Sequence, residues 1–238
     1  MRWFIALMMM VACVASPAKA QDRPVVVELF TSQGCNSCPP SDDFFAELAR
    51  RPGVLALSLH VDYWDYIGWK DPFAQRAHTE RQRSYSRTLH QRYVYTPQIV
   101  VNGAYQHVGT DRAAIEKLIA RARKEAAGGP TLAVSGAGLQ RRLSIGSANA
   151  DAPATVWLVG FDRKHDTAVK AGENSGRRIA NYNVVREMVA IGSWTGGAAE
   201  LPLDLAPVAA DCDAAAILVQ VEETGPIVAA TAVELPRR

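Results

Sequence analysis

The sequence predicts an α/β arrangement for the first half of the chain and a mostly antiparallel, β-sandwich-like arrangement for the second half. Up to residue 128, apolar runs of strand length alternate with longer stretches of helical periodicity. After Pro130, short β-type runs alternate with turn residues, which is typical of antiparallel sheets. We therefore expect two domains, at residues 21–128 and 131–238, behind a signal peptide at residues 1–20.

The first domain is predicted to follow the order strand, helix, strand, helices, strand, hairpin strand, helix. A Pro-Pro pair at 39–40 indicates the start of the first helix, and Asp-Pro at 71–72 indicates the start of a charged helix. Asn-Gly at 102–103 is a tight-turn pair between two strands, and Thr110 is the predicted cap of the last helix. The four predicted strands are residues 25–30, 54–61, 98–101 and 104–108.

The second domain is predicted to contain only short strands. Residues 184–188 are also compatible with a helix, so that segment has two interpretations. The predicted strands are residues 132–134, 143–145, 154–161, 167–169, 184–191, 201–205, 216–221 and 227–233.

The first twenty residues have the parts of a secretory signal peptide. Arg2 gives a positive start, residues 4–15 are almost wholly apolar, and Ala-Lys-Ala at 18–20 indicates cleavage before Gln21. The alternative is a lipoprotein signal that ends at Cys13. The apolar run is too short to span a bilayer. We therefore expect a periplasmic or secreted bacterial protein with no transmembrane helix after removal of residues 1–20.

The charge of the chain argues against polyanionic partners. The full sequence has 26 basic and 24 acidic side chains, and loss of Arg2 and Lys19 with the signal leaves equal numbers. A chain near neutrality does not indicate binding to nucleic acid or to an anionic membrane surface.

Two cysteines, Cys35 and Cys38, lie between the first strand and the first helix. A helix start favours a thiolate, but Pro39 and Pro40 supply no N–H donors there. A C-x-x-C pair serves redox proteins, zinc sites and structural disulfides. Zinc normally requires a second ligand pair, which the sequence does not offer at close spacing. Cys212 is the third cysteine of the mature chain, and we expect it to be a half-buried free thiol.

The order of these elements resembles that of thioredoxins over residues 21–128, with a helical, aromatic-rich insertion. A closer resemblance extends over nearly the whole mature chain. It is to secreted bacterial thioredoxin-like proteins of unassigned function, the family catalogued as domain of unknown function 1223. The matching segments are residues 28–35, 37–40, 60–66, 68–73, 95–103, 157–159, 172–174 and 183–185.

The resemblance implies two further site features. It places a cis Thr96-Pro97 bond opposite the cysteines, where a substrate chain could pair with the backbone; the alternative is an ordinary trans proline at an edge strand. It also implies that Glu28 lies beneath the dithiol and relays a proton. The alternatives for Glu28 are a position at the sheet edge or an arginine partner.

The aromatic-rich segment is the candidate substrate groove. Its predicted groove residues are Asp62, Tyr63, Trp64, Tyr66 and Trp69. The alternative is that these aromatic residues pack as core around an inserted helix. His60 could act as a base or metal ligand, although a structural histidine is the commoner case. Gly172-Glu173-Asn174 is predicted to be a turn that could dock the second domain onto the first.

The sequence as a whole favours an exported thiol–disulfide oxidoreductase. Cys35, expected to be the more exposed sulfur, attacks a disulfide, and Cys38 resolves the mixed disulfide. No organic cofactor or metal is needed; the partners are a protein or small-molecule disulfide substrate and a redox partner. One alternative is copper(I) binding or delivery by Cys35 and Cys38, aided by His60. Another is a structural Cys35–Cys38 disulfide in a binding module.

Overall fold

The structure is a computed structural model that describes residues 23–125 and 128–236. The predicted signal peptide at residues 1–20, its cleavage before Gln21, and Cys13 lie outside the described residues. The elements up to Glu125 are β1 (Val25–Thr31), α1 (Pro39–Leu48), β2 (Val54–His60), a 3₁₀ turn (Asp65–Ile67), α2 (Arg76–Thr88), β3 (Gln98–Val101), β4 (Tyr105–Val108) and α3 (Arg112–Glu125). The later elements are β5 (Leu132–Ser135), β6 (Gln140–Ile145), β7 (Ala154–Ala168), β8 (Arg178–Trp194), β9 (Ala199–Asp204), α4 (Ala206–Ala209), β10 (Ala214–Val221) and β11 (Ile227–Val233).

The chain forms a mixed α/β structure around one large, mostly antiparallel sheet. Its eight strands lie in the order β11-β10-β7-β8-β2-β1-β3-β4, and β5, β6 and β9 form a separate three-stranded sheet. Strand β1 is parallel to β2 and antiparallel to β3. The parallel pairing of β8 with β2, at Ser58 and Val184, joins strands from both sides of the predicted boundary at residues 128–131.

Helices cover both faces of the sheet at β1 and β2. One face of β1, with Val27 and Leu29, packs against residues of α1 and α3. The other face, with Val26 and Phe30, packs against Tyr85 of α2. Strand β1 is therefore buried along its whole length, which explains why apolar residues point to both of its faces.

The second half of the chain surrounds a core that lies between two layers of strands. Residues of β6 and β9, such as Leu143 and Leu203, pack against residues of β7 and β10, such as Leu158 and Ile217. Within each of these layers the neighbouring strands pair in antiparallel fashion. No helix in residues 23–125 or 128–236 is both long enough and apolar enough to span a bilayer.

Two predicted helix starts were wrong, and side-chain hydrogen bonds explain both. Helix α2 begins at Arg76 rather than Asp71, because the Asp71 carboxylate accepts the backbone N–H of Phe73 and holds a turn there. Helix α3 begins at Arg112, where Asp111, rather than Thr110, accepts the N–H of Ala114 as the cap.

The hairpin of β7 and β8 is much longer than predicted. Its strands contain 15 and 17 residues, and the segments predicted at 154–161 and 167–169 are joined in one strand that ends at Ala168. Residues 184–188 belong to β8, so their helical interpretation was wrong. Because the hairpin is long, its tip, residues 169–177, reaches the loop that contains Cys35.

Candidate functional site

The centre of the site is a disulfide between Cys35 and Cys38 at the start of α1. The sulfurs are 2.12 Å apart and the Cα atoms 5.4 Å apart. Cys38 occupies the cap position, and its carbonyl accepts the N–H groups of Ser41 and Asp42. The two cysteines singled out in the sequence are therefore joined by a disulfide at the helix end.

Both cysteines are fully buried, with 0% of either residue exposed. The expectation that Cys35 is the more exposed sulfur was wrong. Asn36 and Ser37, between the cysteines, are exposed, and the Ser37 hydroxyl lies 3.4 Å from the Cys35 sulfur. The disulfide is therefore covered by other parts of the chain, and Asn36 and Ser37 are the exposed residues nearest to it in the sequence.

Trp64 forms part of the cover and connects two predicted site segments. A Cβ placed on Gly34 would lie 3.3 Å from the Trp64 Cβ and 3.4 Å from Ile67 Cδ1, so the aromatic segment packs closely on the chain before Cys35. The indole N–H of Trp64 donates to the Thr96 hydroxyl at 2.7 Å. Trp64 thus spans from the cysteine loop to Thr96.

The Thr96-Pro97 peptide bond is cis, as predicted. Pro97 lies near the first turn of α1, because a Cβ placed on Gly109 would collide with the Ser41 hydroxyl and lie 3.2 Å from the Pro97 Cβ. Ser41 follows Cys38 by three residues. The structure therefore brings Thr96, Pro97 and the disulfide into one region.

The tip of the β7–β8 hairpin contributes Asn174 to the cover. Its buried amide donates two hydrogen bonds of 2.9 Å, to the carbonyls of Gln33 and Cys35. The same tip packs on the aromatic segment, because a Cβ on Gly172 would lie 3.1 Å from the Trp69 Cβ. The predicted turn at residues 172–174 therefore docks onto the cysteine loop.

Gln33 fixes the loop before the cysteines through both ends of its amide. Its Oε1 accepts the indole N–H of Trp69 at 3.2 Å, and its Nε2 donates to Asn181 at 2.9 Å. Its backbone N–H donates to Asp71 at 2.8 Å. Gln33 was not among the predicted site residues, because nothing in the sequence around it indicates these partners.

One helical turn after Cys38, on the α1 side of the sheet, lies a buried polar cluster of which only His60 was singled out in the sequence. His60 Nδ1 donates to Asp71 at 2.7 Å, and the Thr31 hydroxyl donates to Asp42 at 3.1 Å. The position of Asp42 four residues after Cys38 was the available sequence signal, because residues at that spacing share a helix face.

Burial and charge shift the pKa values of this cluster in different directions. Burial raises the pKa of Asp42 to about 7, against the opposing effects of His60 and the Thr31 hydrogen bond. Burial opposes protonation of His60, but the charge and hydrogen bond of Asp71 outweigh it and raise the His60 pKa. His60 in turn lowers the pKa of Asp71 against the effect of burial.

Glu28 lies on the opposite face of β1 from this cluster. Side chains alternate along a strand, so Glu28 faces α2 with Val26 and Phe30. Its Oε1 accepts from Arg81 at 2.7 Å and its Oε2 accepts from the Tyr85 hydroxyl at 2.5 Å. The arginine pairing considered from the sequence is therefore the environment of Glu28, and both of its carboxylate oxygens are occupied.

The other predicted groove residues divide between core contacts and exposed surface. Asp62 accepts from the Thr79 hydroxyl at 2.6 Å, and Tyr63 donates to Gln82 at 3.0 Å. Tyr66 is 82% exposed beside the cover of the disulfide. Cys212 is a buried free thiol whose pKa burial raises to about 11. In residues 23–125 and 128–236, no group of three His, Cys, Asp or Glu residues is placed to hold a metal ion.

Comparison with known proteins identifies relatives but no established activity. The crystal structure of protein AGR_C_4864 from Agrobacterium tumefaciens is similar, with 32% sequence identity, a TM-score of 0.78, and coverage of 92% of this chain and 98% of that one. HBP35 of Porphyromonas gingivalis has 13% identity and a TM-score of 0.62 over 90% of this chain and 76% of that one, which shows similarity of fold alone. No curated protein matches the sequence. The sequence pattern of one family matches residues 26–220, and the chain therefore belongs to the family described as protein of unknown function (DUF1223).

Proposed function

We propose that this protein is a thiol–disulfide oxidoreductase that acts in the periplasm or outside the cell after loss of residues 1–20. The observation that carries the proposal is the Cys35–Cys38 disulfide at the start of α1, in one region with Thr96 and Pro97. Its partners would be a protein or small-molecule disulfide and a second redox protein that resets the cysteine pair.

The arrangement of the first half supports a thioredoxin-like domain as the setting for this chemistry. Strands β2, β1, β3 and β4 are adjacent in that order, with β1 and β2 parallel and β3 and β4 antiparallel. Helices α1 and α3 pack on one face and α2 on the other. This order and layering resemble the thioredoxin architecture, and the helical, aromatic-rich segment at residues 62–75 is the proposed insertion.

The proposed reaction is a thiol–disulfide exchange in two steps. In the reduced protein, the Cys35 thiolate attacks one sulfur of the substrate disulfide, and the other substrate sulfur leaves as a thiolate and takes a proton. The Cys38 thiol then loses its proton and attacks Cys35, which releases the second substrate sulfur as a thiol. Two electrons pass to the substrate, and the protein returns to the Cys35–Cys38 disulfide. The reverse sequence oxidises a substrate dithiol.

The burial of the cysteines defines where substrate would bind. Asn36 and Ser37 are the exposed residues nearest the disulfide along the chain, and exposed Tyr66 lies on the aromatic segment that covers it. We propose that Tyr66 contacts the substrate directly, whereas Trp64 and Trp69 shape the groove through their bonds to Thr96 and Gln33.

Turnover of a fluorogenic glutathione disulfide, with dithiothreitol as reductant, tests the proposal. We expect the wild-type protein to exceed the background rate and Cys35→Ser to match the background. Cys212→Ala is the matched control, because it removes a buried thiol from the opposite part of the sheet. A wild-type rate equal to that of Cys35→Ser, across several disulfide substrates, would contradict the proposal.

Full burial of both cysteines favours a second candidate, a purely structural disulfide. The two functions differ in the equilibrium of the Cys35–Cys38 bond with a redox buffer. Exchange chemistry requires a reduction potential within the range of cellular thiol couples, whereas structural disulfides resist reduction by the glutathione pool. Equilibration with graded ratios of reduced and oxidised dithiothreitol, followed by alkylation and mass measurement, distinguishes them.

A further inference from the structure

The buried polar cluster of Thr31, Asp42, His60 and Asp71 lies on the face of the sheet that α1 covers. Thr31 and His60 are paired neighbours on parallel strands β1 and β2, so their side chains point to the same side. Thr31 binds Asp42 of α1, which places that side on the α1 face. Asp42 follows Cys38 by one helical turn, and Cys38 is itself buried toward the interior. Asp42 and His60 therefore lie under the cysteine that is second in the motif.

The two ring nitrogens of His60 differ in their hydrogen bonding. Nδ1 donates to Asp71, while the buried Nε2 finds no hydrogen-bond partner in residues 23–125 and 128–236. Leaving a buried ring nitrogen without a partner costs about 1–3 kcal/mol, so such groups are uncommon in folded proteins. The fixed Nδ1 orients the ring, which leaves Nε2 available to give or take a proton.

Asp42 is a buried carboxyl on the same side of the sheet as His60. It accepts one side-chain hydrogen bond, from Thr31, and it is close enough to His60 for the imidazole charge to lower its pKa. The other titratable groups that act on the pair are Asp71, Asp43, Arg186 and His78. Burial nevertheless keeps the pKa of Asp42 about 7, so its proton can be exchanged near neutral pH.

We propose that Asp42 and His60 form the acid–base pair that accepts and returns the proton of the Cys38 thiol. This inference rests on the proposed exchange function. When Cys38 attacks the mixed disulfide, its proton moves to the Asp42 carboxylate, its sulfur bonds to Cys35, and the departing substrate thiolate takes a proton from solvent. The pair then releases the stored proton to solvent, which balances the two protons of each exchange. In the reverse direction, the pair protonates Cys38 as its bond to Cys35 breaks.

The pair assumes the role that the sequence assigned to Glu28. Both carboxylate oxygens of Glu28 are occupied by Arg81 and Tyr85, on the α2 face of β1. Asp42 and His60 lie on the α1 face, where the cysteines are. The proton-exchanging group for Cys38 is therefore assigned to α1 and β2 rather than to β1.

Titration by NMR in the oxidised and the reduced protein tests this assignment. The reduced form is prepared by unfolding with dithiothreitol and refolding under reductant. We expect the titration midpoint of the Asp42 carboxyl to differ between the two forms by about one pH unit or more, because Cys38 becomes a coupled titrating group on reduction. Asp43→Asn is the matched control, because Asp43 is the next residue of α1 and is exposed; this variant should keep the difference in the Asp42 midpoint between the two forms.

Variants separate proton exchange from a structural role. In Asp42→Asn, the pH profile of alkylation of the reduced cysteines should lose the step near neutral pH that the wild type and Asp43→Asn retain. Should Asp42→Asn fail to fold, Thr31→Val, which removes the hydrogen bond to Asp42, should move that step to higher pH. Equal Asp42 midpoints in both redox forms, or a wild-type profile in the variants, would overturn the inference.

These readouts also keep the inference distinct from the proposed function. If the Asp42 midpoint depends on the redox state but the protein turns over no disulfide, the oxidoreductase role is wrong and the pair has no proton to exchange in catalysis. Turnover by a protein whose Asp42 titration ignores the redox state would leave the oxidoreductase in place and remove the pair alone.

Discussion

Two buried carboxylates on opposite faces of the same sheet have contrasting surroundings. On the α2 face, Glu28 has both oxygens bonded, and Gln220 and Tyr85 complete a network around Arg81. On the α1 face, Asp42 holds one side-chain hydrogen bond, and its neighbour His60 has an idle Nε2. A buried charge whose hydrogen bonds are all made stabilises the packing around it. A buried group near cysteines that can still gain or lose a proton is suited to proton transfer.

The largest expected effect tests the completed network on the α2 face. Arg81→Met should lower the free energy of unfolding by about 3–5 kcal/mol, because it leaves the buried Glu28 carboxylate without its cation. Denaturant unfolding measures the change. Arg83→Met, at a half-exposed position on the same helix, should cost about 0.5 kcal/mol or less. Adding Glu28→Gln to Arg81→Met should restore part of the loss; a double variant as unstable as Arg81→Met would refute this account.

The second prediction concerns how stability depends on pH on the α1 face. The Asp42 pKa is raised from 3.8 to about 7 by burial, so between these pH values the folded protein holds a proton that the unfolded chain has released. Stability should therefore fall as pH rises through this window, by about 4 kcal/mol at most. Asp42→Asn should remove this fall, so the variant should have a larger free energy of unfolding than the wild type at pH 8 but not at pH 4.

The control for the pH prediction is Asp43→Asn, because Asp43 is exposed on the same helix. This variant should keep the fall in stability between pH 4 and pH 7, because Asp42 is still present. Parallel curves for Asp42→Asn and the wild type between pH 4 and pH 8 would show that Asp42 does not titrate differently in the folded protein.

A smaller effect is expected at the hairpin tip that covers the cysteines. Asn174→Ala removes two hydrogen bonds and leaves two buried carbonyls without this donor, which should cost about 1–3 kcal/mol. It should also speed reduction of the disulfide by dithiothreitol, because the cover loosens. Glu173→Ala, at the exposed neighbouring position, should change neither quantity. An unchanged reduction rate in Asn174→Ala would mean that the tip does not limit access.

The smallest expected effect concerns the link from the cover to Thr96. Trp64→Phe retains the aromatic packing and removes the indole N–H that donates to the Thr96 hydroxyl, so we expect a loss of about 1 kcal/mol. Tyr66→Phe is the control, since Tyr66 is largely exposed. Equal stability of the two variants would show that the Trp64 hydrogen bond contributes nothing net.

Local sequence signals predicted those parts of the molecule that local physics determines. The apolar run of β1, the Asn102-Gly103 turn and the position of Cys35 and Cys38 each depend on neighbouring residues, and the cis Thr96-Pro97 bond followed from the family resemblance. The helix start predicted at Asp71 was wrong because its carboxylate accepts the N–H of Phe73 in a local turn and also binds the distant residues Gln33 and His60.

The parts that escaped prediction depend on contacts between remote segments. The sequence predicted separate strands at 154–161 and 167–169, yet β7 continues between them, where Asp162 is hydrogen-bonded to His165 and Arg186. Asp42 and His60 are 18 positions apart and meet only because α1 packs over β2. No local sequence pattern predicts the bonds of Asp162 or the proximity of Asp42 to His60, so only the folded structure shows them.

The bridge between β2 and β8 has a consequence for shortening the chain. A fragment that stops at residue 128 would lack the strand that borders β2, and an unpaired strand edge invites association with other chains. It would also lack the Asn174 amide, so the cysteine loop would become more accessible to solvent. The isolated N-terminal fragment should therefore be more reducible and more prone to aggregation than the whole protein, because the C-terminal half pairs with the edge of β2 and covers the cysteine loop.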